Sequence, residues 1–192
     1  MGIMRTAATV ALSTAMLAGT AIAPAFAATN GSVGASSTGT ATVTAFVGSL
    51  VRVTAVDDLA LGTWTGTGAL ETSDSVCIWT TTGGYNVTAT GSGVGGGFSL
   101  SNGASGTLDY AVKWDDAPTS STLAAMTSGT ALTGQVSGAN TTDCNAGSSL
   151  TATVGVEITE TDLTAADSGS YTGVLTLLIA PEIGRASCRE RV

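Results

Sequence analysis

The residues of this sequence best suited to reaction chemistry are two pairs of carboxylates, Asp57-Asp58 and Asp115-Asp116, each flanking the end of an apolar run. Two acids held close together can serve glycosidic cleavage or bind calcium. The commoner role of adjacent acids in such places is to stay solvated in turns and to terminate elements. Little else would assist them, because the chain has no histidine. Lys113 falls on the polar face of an alternating run, and neither a nucleophile-elbow serine nor a phosphate-loop lysine motif occurs. The glycine-rich run from Gly91 to Gly97 has no partner lysine and no helix after it, so it reads as a hairpin loop and not as a phosphate cradle. No catalytic residue, no metal site and no cofactor is expected, and the protein is not expected to be an enzyme. Among the tryptophans, Trp114 reads as core. Trp64, in the stretch GTWTGTG, is the candidate for an exposed ring on which a carbohydrate could stack.

The ends of the chain narrow the context. Residues 1–27 have the three parts of a secretory signal peptide: Arg5, an apolar stretch from Val10 to Ala23, and the small-x-small site Ala25-Phe26-Ala27. The mature protein is expected to begin at Ala28. The apolar stretch is interrupted by Ser13, Thr14, Gly19 and Thr20, and no later run approaches the roughly 20 apolar residues of a spanning helix. Direct membrane insertion of the exported chain is therefore not expected. At the other end, residues 183–192, IGRASCRERV, resemble the in-frame translation of a sequencing adapter, and the tail 182–192 is set aside as non-native.

Without leader and tail, the basic residues reduce to Arg52 and Lys113 against twelve acids, a net charge of 2 − 12 = −10. Such a surface repels phosphate backbones and offers no foothold on anionic headgroups, which argues against a nucleic-acid partner and a lipid surface. Two cysteines remain, Cys77 and Cys144. In an exported protein this pair reads as one disulfide closing a long loop, worth roughly 3–5 kcal/mol on the chain-entropy model. With no histidine available, two cysteines do not complete a zinc site.

The elements that must position these residues are strands. Residues 28–39 are small and polar with no periodicity and read as a flexible arm. From Thr40 to Val47, the residues Ala41, Val43, Ala45 and Val47 alternate with Thr42, Thr44 and Phe46, and after Gly48-Ser49 a second run covers Leu50 to Val56. Leu108, Tyr110, Val112 and Trp114 share one face of a half-buried strand over Thr107 to Trp114, and Leu150 to Ile158 repeats that pattern. Shorter runs occur at Val76 to Trp79, Tyr85 to Thr90, Phe98 to Leu100 and Leu132 to Val136. The last run, Tyr171 to Ala180, is apolar on both faces, which places it inside the sheet system or beside a groove. No helical period persists, although Thr119 to Thr127 fits a short helix around Leu123 and Met126. Many short strands with glycine-rich turns predict an all-β, antiparallel sandwich. Asp167, Gly169 and Tyr171, in the sequence DSGSY, match the tyrosine corner of immunoglobulin-like sandwiches.

Several ordered motifs then resemble a known family. The run TATVTAFVGSLVRVTAVDDLALGTW from Thr40 to Trp64, Cys77 followed by GYNVT, the strand LDYAV at 108–112 and the closing strand GSYTGVLTL at 169–177 together resemble spore coat protein U-like and archaic chaperone-usher pilins. The resemblance covers most of residues 40–180. Such pilins often carry a cysteine in the first strand, where this chain has Gly48-Ser49-Leu50.

The resemblance implies a sandwich that lacks its last strand and is completed by donor-strand complementation. A periplasmic chaperone fills the groove first, and the N-terminal strand of a neighbouring copy or related subunit fills it in the fibre, by way of an outer-membrane usher. The implied organisation is a flexible arm and candidate donor strand at 28–48, with Ala41, Val43, Ala45 and Val47 as the inserting residues, and a pilin-like domain at 49–181. An ordinary first strand pairing within its own domain is the competing reading of residues 40–47. The implied role is a structural subunit of a surface fibre, exported to the periplasm and then the cell surface, for adhesion or biofilm. The alternative is a self-contained secreted module that binds carbohydrate through Trp64.

Overall fold

The fold is that of a computed structural model, which describes residues 28–103, 106–144 and 150–183. The expected leader and residues 184–192 of the tail lie outside them. The chain divides into two compact units, Met1–Phe46 and Val47–Val192.

In the first unit, Thr29 and Thr40 form an antiparallel bridge: Thr29 N donates to Thr40 O at 3.0 Å and Thr40 N to Thr29 O at 2.9 Å. The two hydroxyls also touch. What composition alone marks as a flexible arm therefore closes into a loop. Glycine is needed inside it, since a Cβ at Gly31 would fall 2.0 Å from Ser37 Oγ. The strand expected from Thr40 to Val47 is absent from the structure. Residues 41–47 carry no ladder and are exposed, Val43 at 92% and Phe46 at 93%. The alternation of apolar residues is real, but a strand is stabilised by cross-strand pairs, and this segment has no such partner among the described residues.

The second unit is a β-sandwich. Its elements are β1 (Val51–Thr54), β2 (Leu70–Thr80), β3 (Gly84–Gly91), β4 (Ser99–Ser101), β5 (Thr107–Asp109), β6 (Ala111–Asp115), β7 (Ala124–Ala125), β8 (Ala131–Val136), β9 (Ala152–Ile158), α1 (Glu160–Ala165) and β10 (Leu175–Pro181). One sheet runs β1-β2-β9-β6-β7, the facing sheet β10-β3-β8, and β4 and β5 make a separate hairpin. Every pairing is antiparallel.

Alternation decides which side chains meet between the sheets. Val76 and Ile78 of β2, Tyr85, Val87 and Ala89 of β3, Val112 and Trp114 of β6, and Val154 and Ile158 of β9 are buried there. Each such aliphatic or aromatic side chain contributes about 1.5–3 kcal/mol relative to exposure. Tyr85 and Trp114 meet edge to face, centroids 6.4 Å apart.

The run from Thr107 to Trp114 differs from its expected single strand. It breaks at Tyr110, whose N–H bonds to Phe98 O at 3.0 Å, so β5 pairs with β4 while β6 joins β9. The run ending at Ile158 also departs from half-burial: Thr151, Thr153 and Gly155 are buried too, because β9 is central and the 117–123 loop covers its outer face. Thr153 Oγ1 donates to Ala117 O at 2.8 Å, and a Cβ at Gly155 would lie 2.5 Å from Leu123 Cδ1. That use of Leu123 is why residues 119–127 form a loop and β7 instead of the expected helix. The helix that does form, α1, is capped by Thr159, which accepts from Asp162 N at 3.2 Å.

Candidate functional site

The two sides of the sandwich are built differently. On one side the chain crosses from β7 to β8 and bonds to both sheets, Met126 N to Val112 O at 2.8 Å and Gly129 N to Ala89 O at 2.9 Å. On the other side β1 and β10 approach each other, yet β1 is bonded only to β2 and β10 only to β3.

On this open side β10 shows a strict alternation. Leu175, Leu177 and Ile179 are half-buried against the core, whereas Thr176, Leu178 and Ala180 are exposed, Leu178 at 62%. The strand has seven residues, no charge and no bulge against β3. Edges of this kind template pairing with another chain unless they are blocked. Opposite β10, Val51 and Val53 of β1 are also half-buried on the core. β1 stops at Ala55, whose φ of 57° turns the strand away from its ladder. The chain then continues with Leu59, Leu61 and Trp64 half-buried on the core, without a strand of their own; Asp57 N reaches the Asp74 carboxylate at 2.9 Å. Apolar side chains thus reach the core from β1 and its continuation and from β10, two neighbouring strands between which no backbone ladder runs. What this arrangement can do chemically is accept an extended strand, with main-chain groups of the β10 edge giving affinity and the apolar positions selecting alternate side chains.

The remaining sequence candidates fall elsewhere. Cys77 and Cys144 form the disulfide, with Cα atoms 5.8 Å apart, and tie the 137–144 segment to β2. Tyr171 Oη donates to Asp167 O at 2.9 Å, and Gly169 packs close to Asn102, which is tyrosine-corner geometry. Trp64 is half-buried, and its indole N–H is bound within its own loop to Gly68 O at 2.9 Å. Asp57 and Asp58 are exposed. Asp115 accepts from Ala117 N and from Ser120 Oγ, and Asp116 from Val136 N; both organise the turns around them. Lys113 is paired with Glu157. Ala41, Val43, Ala45 and Val47 are exposed and form no ladder among the described residues. Among the described residues there is no group of three or more His, Cys, Asp or Glu side chains placed to hold a metal, and no helix long and apolar enough to cross a membrane.

Burial shifts the titration of two tyrosines. It pushes the Tyr85 hydroxyl well above its ordinary value, and the Tyr110 hydroxyl in the same direction. Tyr110 Oη is buried without a hydrogen-bond partner, and Tyr85 Oη and Trp114 Nε1 are buried beside one another without a well-formed hydrogen bond.

Three residues of the open side, Leu59, Leu61 and Thr81, are not singled out one by one in the sequence. Leu59 and Leu61 are spaced like a strand but follow the Asp57-Asp58 turn in a stretch too short to read as a run of its own. Thr81 holds the residues just before β1 through its N–H and its hydroxyl, and a lone threonine after a strand carries no sequence signal of that role.

No family model matches the chain, and no curated protein does. Among solved structures, a chain from a chaperone–tip adhesin complex of CFA/I fimbriae biogenesis aligns with a TM-score of 0.44 at 16% identity, over 70% of this chain and 41% of that one. This chain thus spans about two fifths of the length of the structure it matches.

Proposed function

We propose that the protein is a structural subunit of a bacterial surface fibre assembled by donor-strand exchange. The observation that carries this reading is β10: a neutral edge strand, apolar on both faces, with Leu175, Leu177 and Ile179 only half-covered. β10 is bonded to β3 alone among the described strands, so its other edge is open to a second neighbour. The missing neighbour is an extended segment with apolar residues at every second position. The chain contains such a segment in Ala41, Val43, Ala45 and Val47, which is exposed and unpaired. Given by one copy to the next, it makes a head-to-tail contact that does not close, and such contacts build filaments. Before assembly a periplasmic chaperone covers the same edge, and an outer-membrane usher exchanges it for the donor. The role is structural, without catalysis or cofactor, and the surface fibre serves adhesion or biofilm.

Thermal unfolding of three chains tests this: residues 28–181, the same chain without 28–48, and that truncation carrying 38–48 after Pro181 on a flexible linker. The truncation is expected to be unstable or to aggregate, and the appended strand to restore a sharp transition in a monomer. A truncation that is stable by itself and gains nothing from the added strand would reject donor-strand assembly.

A further inference from the structure

Thr81, the residue after β2, sits opposite Leu50 and binds the chain just before β1. Its N–H donates to Leu50 O at 3.0 Å, its hydroxyl accepts from Leu50 N at 2.8 Å, and the hydroxyl hydrogen is shared between Gly48 O at 3.1 Å and Leu50 O at 3.5 Å. One residue therefore holds both ends of Gly48-Ser49-Leu50 in line with β1, extending the register that pairs Val51 with Thr80. Gly48 is half-buried while its neighbours are exposed.

The length of that connection makes the restraint matter. Three residues are a common hairpin loop, so Gly48-Ser49-Leu50 left free could turn Ala41–Val47 back along the free edge of β1, on the open side of its own sandwich. A tethered strand competes at an effective concentration near the millimolar range. We propose that Thr81 is a positioning residue that keeps this connection extended, so that the donor segment is presented to a second copy of the chain and not to the domain that carries it. Turning back in these residues gives up the bonds that Gly48 and Leu50 make with Thr81. The inference rests on the donor-strand reading and adds to it the means by which self-closure is avoided.

The test compares the full exported chain with Thr81→Val, which keeps the shape and removes the hydroxyl's bonds, and with Thr81→Ser, which keeps the hydroxyl. Each is refolded at one concentration, its oligomers are measured by size-exclusion chromatography with light scattering, and cleavage after Phe46 by a chymotrypsin-like protease is followed in the monomer peak. Thr81→Val is expected to raise the monomer-to-oligomer ratio about five- to tenfold and to protect Phe46 in the monomer, with Thr81→Ser within about twofold of the parent. A two-glycine insertion after Ser49 loosens the same connection with Thr81 intact and is expected to act like Thr81→Val, so the test survives a poorly folding valine variant. If the parent forms oligomers but neither change raises the monomer share, or the monomer share rises with Phe46 still cleaved, Thr81 does not have this role and the donor-strand reading stands. A parent that stays monomeric and loses no stability without residues 41–47 removes that reading and the role of Thr81 together.

Discussion

The side of the sandwich at β7 and β8 and the side at β1 and β10 differ in how the backbone is bonded across the two sheets. At the first, Met126 is buried and the crossover places Met126 N and Gly129 N on carbonyls of both sheets. At the second, Ile179 and Leu177 reach the same core while the β10 edge beside them is unpaired. The difference teaches that the hydrophobic pattern of a strand sets which face it buries, whereas chain connectivity sets whether its edge is satisfied.

Substitutions should separate the two sides. Met126→Ala is expected to destabilise the domain by about 2–5 kcal/mol, since it empties a packed site. Ile179→Ala, half-exposed already, should cost about 1 kcal/mol in the isolated domain, rising once a complementary strand is appended. Denaturant midpoints with and without the appended strand measure both, and equal costs at the two positions would erase the distinction.

A smaller effect is expected from Gly129→Ala. Gly129 has φ of +72° and open space where a Cβ would go, so the cost is backbone strain alone, about 1–2 kcal/mol. A neutral result would mean that the crossover does not fasten the closed side.

The smallest effect at neutral pH belongs to Tyr85→Phe, which removes a buried hydroxyl without a well-formed hydrogen bond. Burial raises the folded-state value of Tyr85, so the protonated form is favoured by folding. That contribution is intact below the unfolded value of about 10 and is lost as the pH climbs above it. The parent should therefore lose stability above about pH 10 more steeply than Tyr85→Phe. Parallel curves would show that Tyr85 is not shielded by the core.

Much of this fold was legible in the residues. Leu108, Tyr110, Val112 and Trp114 announced their buried face and Cys77 and Cys144 their bond, whereas the last run, expected to be one strand from Tyr171 buried on both faces, starts at Leu175 and is an edge strand with Leu178 exposed. Other parts depended on tertiary context. The first half of β2, Leu70 to Ser75, is polar by composition and becomes a strand because β9 lies beside it. Thr159 to Ala165 forms a single capped helical turn and a half, too short to leave a period. Residues 41–47 show the reverse: a strand pattern without a strand, since periodicity records what a segment can pair with and not whether the partner is present.

The disulfide has a consequence for a chain under tension. Cys77 and Cys144 are 67 residues apart in sequence, and an extended chain lengthens by about 3.4 Å per residue. The crosslink keeps roughly 230 Å of contour length out of reach of a pulling force applied at the two ends. β3 to β8 lie inside that loop, so even a domain stretched until β1 and β10 let go retains the strands between the cysteines as a short knot of fixed extent.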